Sequence, residues 1–489
     1  MSPDLRRQFI QFIIHSPPIG KELMDFLVQW SGNPFYLSEL LRLLFHPDNS
    51  TYLTCVKGEQ HVAVGINLET MLPKTIADVI LERMQLELPE ILDLAQVLSV
   101  AGLEFPELLA DTLRKKCFPK RNIQNNIQQL IQAGVLIQKS NHFAFDHQVK
   151  QETIYNSLEK KQQQEIYMQL VEILLTSTIY ENPQAQQQHL AHYLIHCPDS
   201  FQQEHIQKIL DAARNAFNQR QFEPAQTFYN ALIKQKNLEN MDGIECLIER
   251  SRLYQLRGWY DQANSDLKTA EKIIGNYVPK SRSEKKQKHQ LNIRIKKAMG
   301  HNLLKQRSME NADTILLQAR REIYGFLGIK HRFQSKTLSY YKDLVEIECD
   351  LAACFLRRKE FTKCKQTCEK ARKLAMHAEN KWPAHSLLHE VNIALGDLYA
   401  SRKGESNASN ALSYYKTALQ NTCEDPYYQG QILLKIADVN KKIKQFDEAQ
   451  KQYTDALTIQ KKISNFYGQA MAHAGLGDIY LHKQELFSL

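Results

Sequence analysis

Three histidines, His189, His192 and His196, come nearest in this 489-residue sequence to a reactive constellation. They share one helical face, and the last two have the i, i+4 spacing that can hold a zinc ion. No glutamate follows the first in H-E-x-x-H order, so no metal site is assigned to them. A phosphate-cradling G-x-x-x-x-G-K-[ST] loop is missing. The nearest stretch, Gly325 to Lys330, has the wrong spacing and no following Ser or Thr. The cysteines number nine, an odd count, and are scattered without a C-x-x-C pair, which argues against a zinc ribbon or a disulfide framework. No Ser–His–Asp or Cys–His spacing argues nucleophilic catalysis. No catalytic residue is therefore assigned, and the sequence reads as a binding protein rather than an enzyme.

The elements behind these residues are helices. With 43% hydrophobic and 24% charged residues, the chain reads as soluble and long enough for two or more cores. No apolar run reaches the length of a membrane span. The opening apolar patch lacks a cleavage site and continues as an amphipathic helix, so it is not read as a signal peptide. Unpaired cysteines point to a reducing cytoplasm. The net charge of +8 is modest for this length. Part of it is local, with Lys280, Arg282, Lys285, Lys286, Lys288, Arg294, Lys296 and Lys297 crowding one junction. That run reads as a solvated linker or helix face, with docking of an acidic partner or nucleic acid as the alternative.

The second half of the chain repeats a skeleton of small and aromatic residues. In Leu433 to Leu457, Ala437 is where two antiparallel helices can touch and Phe446 closes the turn. Ala449, Tyr453 and Ala456 then share one face of the second helix. Ser251, Tyr254, Ala263, Leu267 and Ala270 form another copy, and Gly300, Leu303, Ala312, Leu316 and Ala319 the next. Ala352, Phe355, Cys364, Cys368 and Ala371 follow, then Gly396, Tyr399, Ala411, Tyr415 and Ala418. Gly477 and Tyr480 open a copy that the chain end cuts off. The pattern resembles the tetratricopeptide repeat, with landmarks spaced more widely than the usual unit of about 34 residues. Stacked hairpins of this kind bury a continuous core and present a concave binding surface.

Ahead of the repeats, two amphipathic helices flank Ser31-Gly32-Asn33-Pro34, with Pro34 opening the second. A helical pair then ends at Gly102 and Phe105, followed by a helix over Asn122 to Ala133 and strands over Val135 to Gln138 and Phe143 to Phe145. A further helix completes the order of a winged helix, and these strands are expected to be the only ones. The ordered series SGNPFYLSELLRLL, ILERM, VAGLEF, LIQAGVLI, FAFDHQVKQETIY and QQHLAHYL resembles STAND signalling ATPases. These are P-loop regulators found with bacterial adenylate cyclases, protein kinases and LuxR-type activators such as the maltose regulator. The resemblance implies a helical lid over 1–70, a winged helix over 71–160, a helical connector over 161–205 and a repeat superhelix over 206–489 with its last repeat truncated.

The same resemblance implies that Pro34 packs on a nucleotide base and His147 reaches the ADP phosphate, and that the LAHY segment around His192 serves packing. The missing P-loop leaves Pro34 and His147 as cofactor-binding residues only if a P-loop module is supplied elsewhere. ATP or ADP is thus implied for the family's full-length protein, with no cofactor in this chain. The fold class expected is mainly all-α, a lid and winged helix followed by an α-solenoid. The function expected is a regulatory sensor that binds a protein or small-molecule effector in the repeat groove, as the carboxyl-terminal part of a longer or split ATPase. A free-standing repeat adaptor is the alternative, and a winged-helix transcriptional regulator the second. The third reading is weakened because Gln124, Asn125, Gln128 and Gln132 make the recognition helix polar, with Lys120 and Arg121 only at its start.

One outcome follows from the missing phosphate loop. ATP and ADP with Mg²⁺, at sub-millimolar concentration, are expected to leave the thermal midpoint of this chain unchanged, because a ligand that does not bind cannot stabilise by linkage. A reproducible Mg²⁺-dependent rise in a calorimetric scan would overturn that expectation.

Overall fold

The computed structural model describes residues 2–14, 18–30, 33–46, 52–56, 58–64, 66–68, 72–119, 124–234, 241–327, 338–381, 387–421 and 425–487. The chain is mainly all-α and divides into two compact units, Met1–His205 and Ile206–Leu489.

In the first unit, helices α1 (Pro3–Ile13), α2 (Lys21–Trp30) and α3 (Pro34–Leu44) enclose an apolar core around Ile10, Leu27, Leu37 and Leu40. Pro34 opens α3 at its first position, and the Asn33 side chain accepts the Phe35 amide at 3.0 Å. A hairpin of β1 (Leu53–Val56) and β2 (Glu59–Val62) follows, which corrects the expectation that strands occur only near residue 140. Its reason lies in Gly58, which takes φ +85° in the turn, a conformation open to glycine without strain. One isolated parallel bridge joins Ile19 to Gln60.

Helices α4 (Ile76–Glu87) and α5 (Leu92–Ala101) lead into β3 (Glu104–Pro106), α6 (Glu107–Cys117), α7 (Gln124–Gln132), β4 (Leu136–Lys139) and β5 (His142–Phe145). The three strands form one antiparallel sheet in the order β3-β5-β4. The strands expected at 135–138 and 143–145 thus lie at 136–139 and 142–145, and a third strand joins them. Phe105, Phe143 and Phe145 are buried and form one aromatic cluster, which pins β3 to β5. Helices α8 (Gln148–Asn156), α9 (Lys160–Thr176), α10 (Pro183–Leu194) and the short α11 (Asp199–Glu204) complete the unit. Lys120, Arg121 and Asn122 lie outside the described residues.

The second unit is an α-solenoid of tetratricopeptide-like hairpins. They are α12 (Ile206–Asn218) with α13 (Phe222–Lys234), α14 (Met241–Arg257) with α15 (Tyr260–Asn276), and α16 (Arg282–Lys305) with α17 (Met309–Leu327). Then come α18 (Leu338–Arg357) with α19 (Phe361–Lys381), α20 (Leu388–Ala400) with α21 (Glu405–Gln420), α22 (Pro426–Lys442) with α23 (Phe446–Lys462), and the single α24 (Phe466–Phe487). Each hairpin closes at its small residues. A Cβ placed on Gly396 would stand 2.3 Å from the Tyr415 ring, and one on Gly300 would stand 2.5 Å from Leu316. Ala263, Ala312 and Ala449 are fully buried. Gly477 differs: it is exposed and nothing approaches it, and Gly475 is the glycine that meets Tyr453. The small landmark of a first helix faces the second helix of its own hairpin, and no such helix follows α24 among the described residues.

In five hairpins the first helix stops the same way. Arg220, Gly258, Arg307, Lys359 and Lys444 all have φ between 61° and 79°, and the next amide reaches back over the turn, as from Gln445 to the Asn440 carbonyl at 2.9 Å. This left-handed stop satisfies carbonyls that the helix end would otherwise strand.

Replacing Ala449 or Gly396 with leucine is expected to cost about 1–3 kcal/mol through overpacking. Because hairpins couple to their neighbours, hydrogen exchange after Ala449→Leu should quicken in α22 to α24 and stay unchanged in residues 76–156. Unchanged protection in the last hairpins, or loss in both units together, would contradict the stacked-repeat packing.

Candidate functional site

The inward side chains of the solenoid come from its first helices, one residue after each small landmark and three before it. Ser251 is followed by Arg252, Gly300 by His301, Gly396 by Asp397 and Ala437 by Asp438, while Lys297 and Cys349 stand three residues ahead of Gly300 and Ala352. These positions lie on one face because neighbours at three and four residues share a helix side.

Neighbouring first helices are tied across this face by ions of opposite sign. Glu245 of α14 meets Arg294 of α16 at 2.7 Å. Lys297 of α16 reaches Asp343 of α18 at 2.5 Å and also Glu346. His301 lies 3.0 Å from Asp350, and Lys435 of α22 holds both oxygens of Asp397 at 2.7 and 2.9 Å. Among the described residues, three cations of the same face, Arg252, Lys305 and Lys342, make no side-chain hydrogen bond or ion pair. Arg252 instead feels Glu346, Asp343, Glu390 and Tyr428, groups from α18, α20 and α22, so several hairpins surround one space.

Protonation reflects that enclosure. Burial, then the negative charge of Glu346, pushes Glu390 up to about 8. Burial also acts on Glu346, but Lys297 and Arg252 outweigh it and hold this carboxyl down at about 2. Surrounding protein lowers the Lys305 ammonium and raises the Cys349 thiol. The Tyr428 hydroxyl lies 3.4 Å from Glu390 Oε1, so a neutral Glu390 keeps a polar neighbour.

In the first unit, Pro34 and His147 are both exposed, and Phe35, next to Pro34 in sequence, stacks on His147 with centroids 4.1 Å apart. His147 caps α8, its Nδ1 accepting the Val149 amide at 3.2 Å. Beneath them lies a buried ionic cluster. Glu39 of α3 meets Arg83 of α4 at 3.2 Å and Lys150 of α8 at 3.0 Å. Lys150 also donates to the Gly134 carbonyl at 2.7 Å and to Asp146 at 2.9 Å, and Arg83 donates to the Ala133 carbonyl at 3.1 Å. The cluster ties α3 to α4, to α8 and to the turn before β4.

The remaining candidates are placed differently. Ser251, Tyr254, Ala263, Ala270, Ala312, Ala319, Ala352, Cys364, Ala371, Ala411, Ala418, Ala437, Tyr453 and Ala456 are buried between helices. His189 stacks on Tyr180 at 4.3 Å and His196 on Tyr167 at 4.8 Å; burial lowers all three histidines, His192 to about 4. Among the described residues no cluster of His, Cys, Asp or Glu has metal-binding geometry. The basic run is not one linker: α16 begins at Arg282, and Arg294, Lys296 and Lys297 are spent in ion pairs between helices. Also among the described residues, no helix is long and apolar enough to cross a membrane.

No family model matches the chain, and no curated protein matches it. Among solved structures it is similar to a STAND protein with a tetratricopeptide repeat sensor from Pyrococcus horikoshii, at 15% identity and TM-score 0.39 over 98% of this chain. The chain spans 63% of that protein's length. A Rap protein complexed with competence and sporulation factor gives 12% and 0.36, covering 67% of this chain and 94% of that one. Yeast Tom70 gives 11% and 0.34, covering 82% and 84%. At such identities and scores, none of these likenesses bears on activity, ligand or partner.

The Glu390 carboxyl generates a pH test. Its folded value lies above the ordinary carboxylate range, so the folded state holds a proton that the unfolded chain gives up near pH 4.5. Stability from this group is fully present below about pH 4.5 and is lost as pH rises through about 8. Glu390→Gln should flatten the fall in the repeat unit's unfolding free energy between pH 5 and 8. An unaltered slope would contradict a neutral Glu390.

Proposed function

We propose that the chain is a non-catalytic sensing module of STAND type, whose repeat unit binds a protein or small-molecule effector on its inner face. The observation that carries this reading is the inner face itself, where, among the described residues, Arg252, Lys305 and Lys342 make no ion pair while Arg294, Lys297 and Lys435 each do. Free charge held inside a framework of fixed ion pairs is suited to recognition, since a ligand can pair with it without first breaking a bond. In the first unit the order of helices and strands is that of a winged helix. Pro34 and His147 would meet the base and phosphate of ADP if a P-loop module were supplied in cis or in trans. That nucleotide would bring charge for His147 to hold; the chain's own part is to fasten lid to winged helix through Glu39, Arg83 and Lys150.

A free-standing adaptor would use the same inner face and leave the first unit without a task. DNA binding finds less support, because the cations of α6 are engaged: Lys115 with Asp111 at 2.6 Å, Arg114 with the same carboxylate, and Lys116 with Glu172.

Comparative capture tests the reading. Wild-type chain, an inner-face variant (Arg252→Glu with Lys342→Glu) and an outer-face variant (Lys416→Glu with Lys451→Glu) would be immobilised and exposed to the same extract. A protein held by the first and third and lost from the second is expected. If it carries a P-loop and ADP alters its retention, the STAND reading stands over the adaptor. Retention of the whole set by the inner-face variant would refute an inner binding surface.

A further inference from the structure

The first hairpin of the solenoid touches the sixth. Arg220, in the turn between α12 and α13, places its guanidinium 5.6 Å from the Phe217 ring and 5.4 Å from the Tyr427 ring. Its Nε donates to Asp425 Oδ1 at 3.1 Å, and a second guanidinium nitrogen donates to Oδ2, a two-pronged pairing across 205 residues of sequence. Only 10% of the Arg220 side chain and 26% of the Asp425 side chain is exposed. Asp425 is held in place from its own side as well, because it caps α22 by accepting the Tyr427 amide at 3.0 Å. Beside the pair runs a cleft lined by Phe222 and Pro224 from the first hairpin and by Pro426, Ile459 and Ile463 from the sixth.

A second contact repeats the closure one step on. The ring of Tyr467, in α24, lies against Gly258 in the turn of the second hairpin, where a Cβ would stand 3.6 Å from it. Elsewhere in the solenoid hairpins pack chiefly on their sequence neighbours, as stacked repeats do. These contacts join the start of the stack to its end.

We propose that Arg220 and Asp425 form a latch that holds the repeat superhelix closed, and that opening this seam admits a partner to the inner face. The seam suits a reversible joint. It is narrow, its centre is one ion pair between two aromatic rings, and the stack it closes has many interfaces over which a small opening can be spread. Cys349 reports on the enclosed side: it is partly exposed, adjoins Asp350, and lies close enough to Glu390 and Glu346 to feel both charges. The admission of a partner rests on the inner-face reading given above, whereas closure by the latch does not.

The test uses the full chain and no partner. Cys349 would be modified with N-ethylmaleimide and, separately, with the same maleimide group on a bulky polymer, and the sites mapped by mass spectrometry. In the wild type the bulky reagent should lag far behind the small one. Arg220→Glu, and Asp425→Asn, which keeps the helix cap, should each raise the bulky-to-small rate ratio at Cys349 by about tenfold or more, as expected when a part-buried charge pair is broken. Buried Cys364 and Cys368 should stay unmodified in both variants, showing that the fold is intact. A ratio near one in the wild type would overturn closure. An unchanged ratio in Asp425→Asn with Cys364 and Cys368 still protected would overturn the latch. Either result leaves the capture experiment free to succeed, and failed capture leaves this readout unaffected.

Discussion

The structure of the repeat unit depends on two helix backbones coming close at a residue with at most one methyl group. At Gly396 the Tyr415 ring occupies the volume a Cβ would need, and its hydroxyl reaches Asp397 at 2.5 Å. Tyr453 packs in one core cluster with Ala437, donates to Asp438, and fills the space at Gly475 of the next helix. One ring thereby fixes a hairpin internally and sets the offset to its neighbour. Repeating that offset brings the first hairpin round to the sixth, and it sets charged residues beside the small ones on a common inner face.

The first unit rests on another constraint. Glu39, Arg83 and Lys150 are buried together, and the desolvation cost of such a cluster is offset only while every partner is present. The Ala133 and Gly134 carbonyls, in the turn after α7, and the carboxylates of Asp146 and Glu87 add further contacts. An arrangement of this kind contributes geometry more than net stability. It holds Phe35 against His147 and so fixes the spacing of Pro34 and His147, whatever they meet.

Much of the solenoid was legible because burial forces small and aromatic residues into register, and that register survives in any single copy. The hairpin α12–α13, with Ala213, Ala216, Ala225 and Tyr229 all buried, follows the same rule. The inner face was recoverable by counting one residue forward and three back from each landmark. Other features had no such signal. The left-handed turns carry Arg or Lys at four of their five positions, so glycine marked only the one at Gly258. The β1–β2 hairpin is short and carries one glycine, too little to set a period of two. Glu39, Arg83 and Lys150 are charged residues on apolar faces, and only their mutual distance explains their burial. The pairing of Arg220 with Asp425 depends on the summed rotation of five hairpins, a quantity no local pattern records.

Closure of the repeat unit is the central claim, and native side chains allow a direct test. Glu223 of α13 and Lys462 of α23 line the same cleft at the seam. A zero-length carbodiimide links a carboxylate to an amine only where the two can touch. Peptide mapping after brief treatment of the whole chain should recover an amide joining Glu223 to Lys462, and Asp425→Asn should deplete it. Recovery of links between sequence-adjacent hairpins alone, with none across this seam, would show an open superhelix and contradict the account.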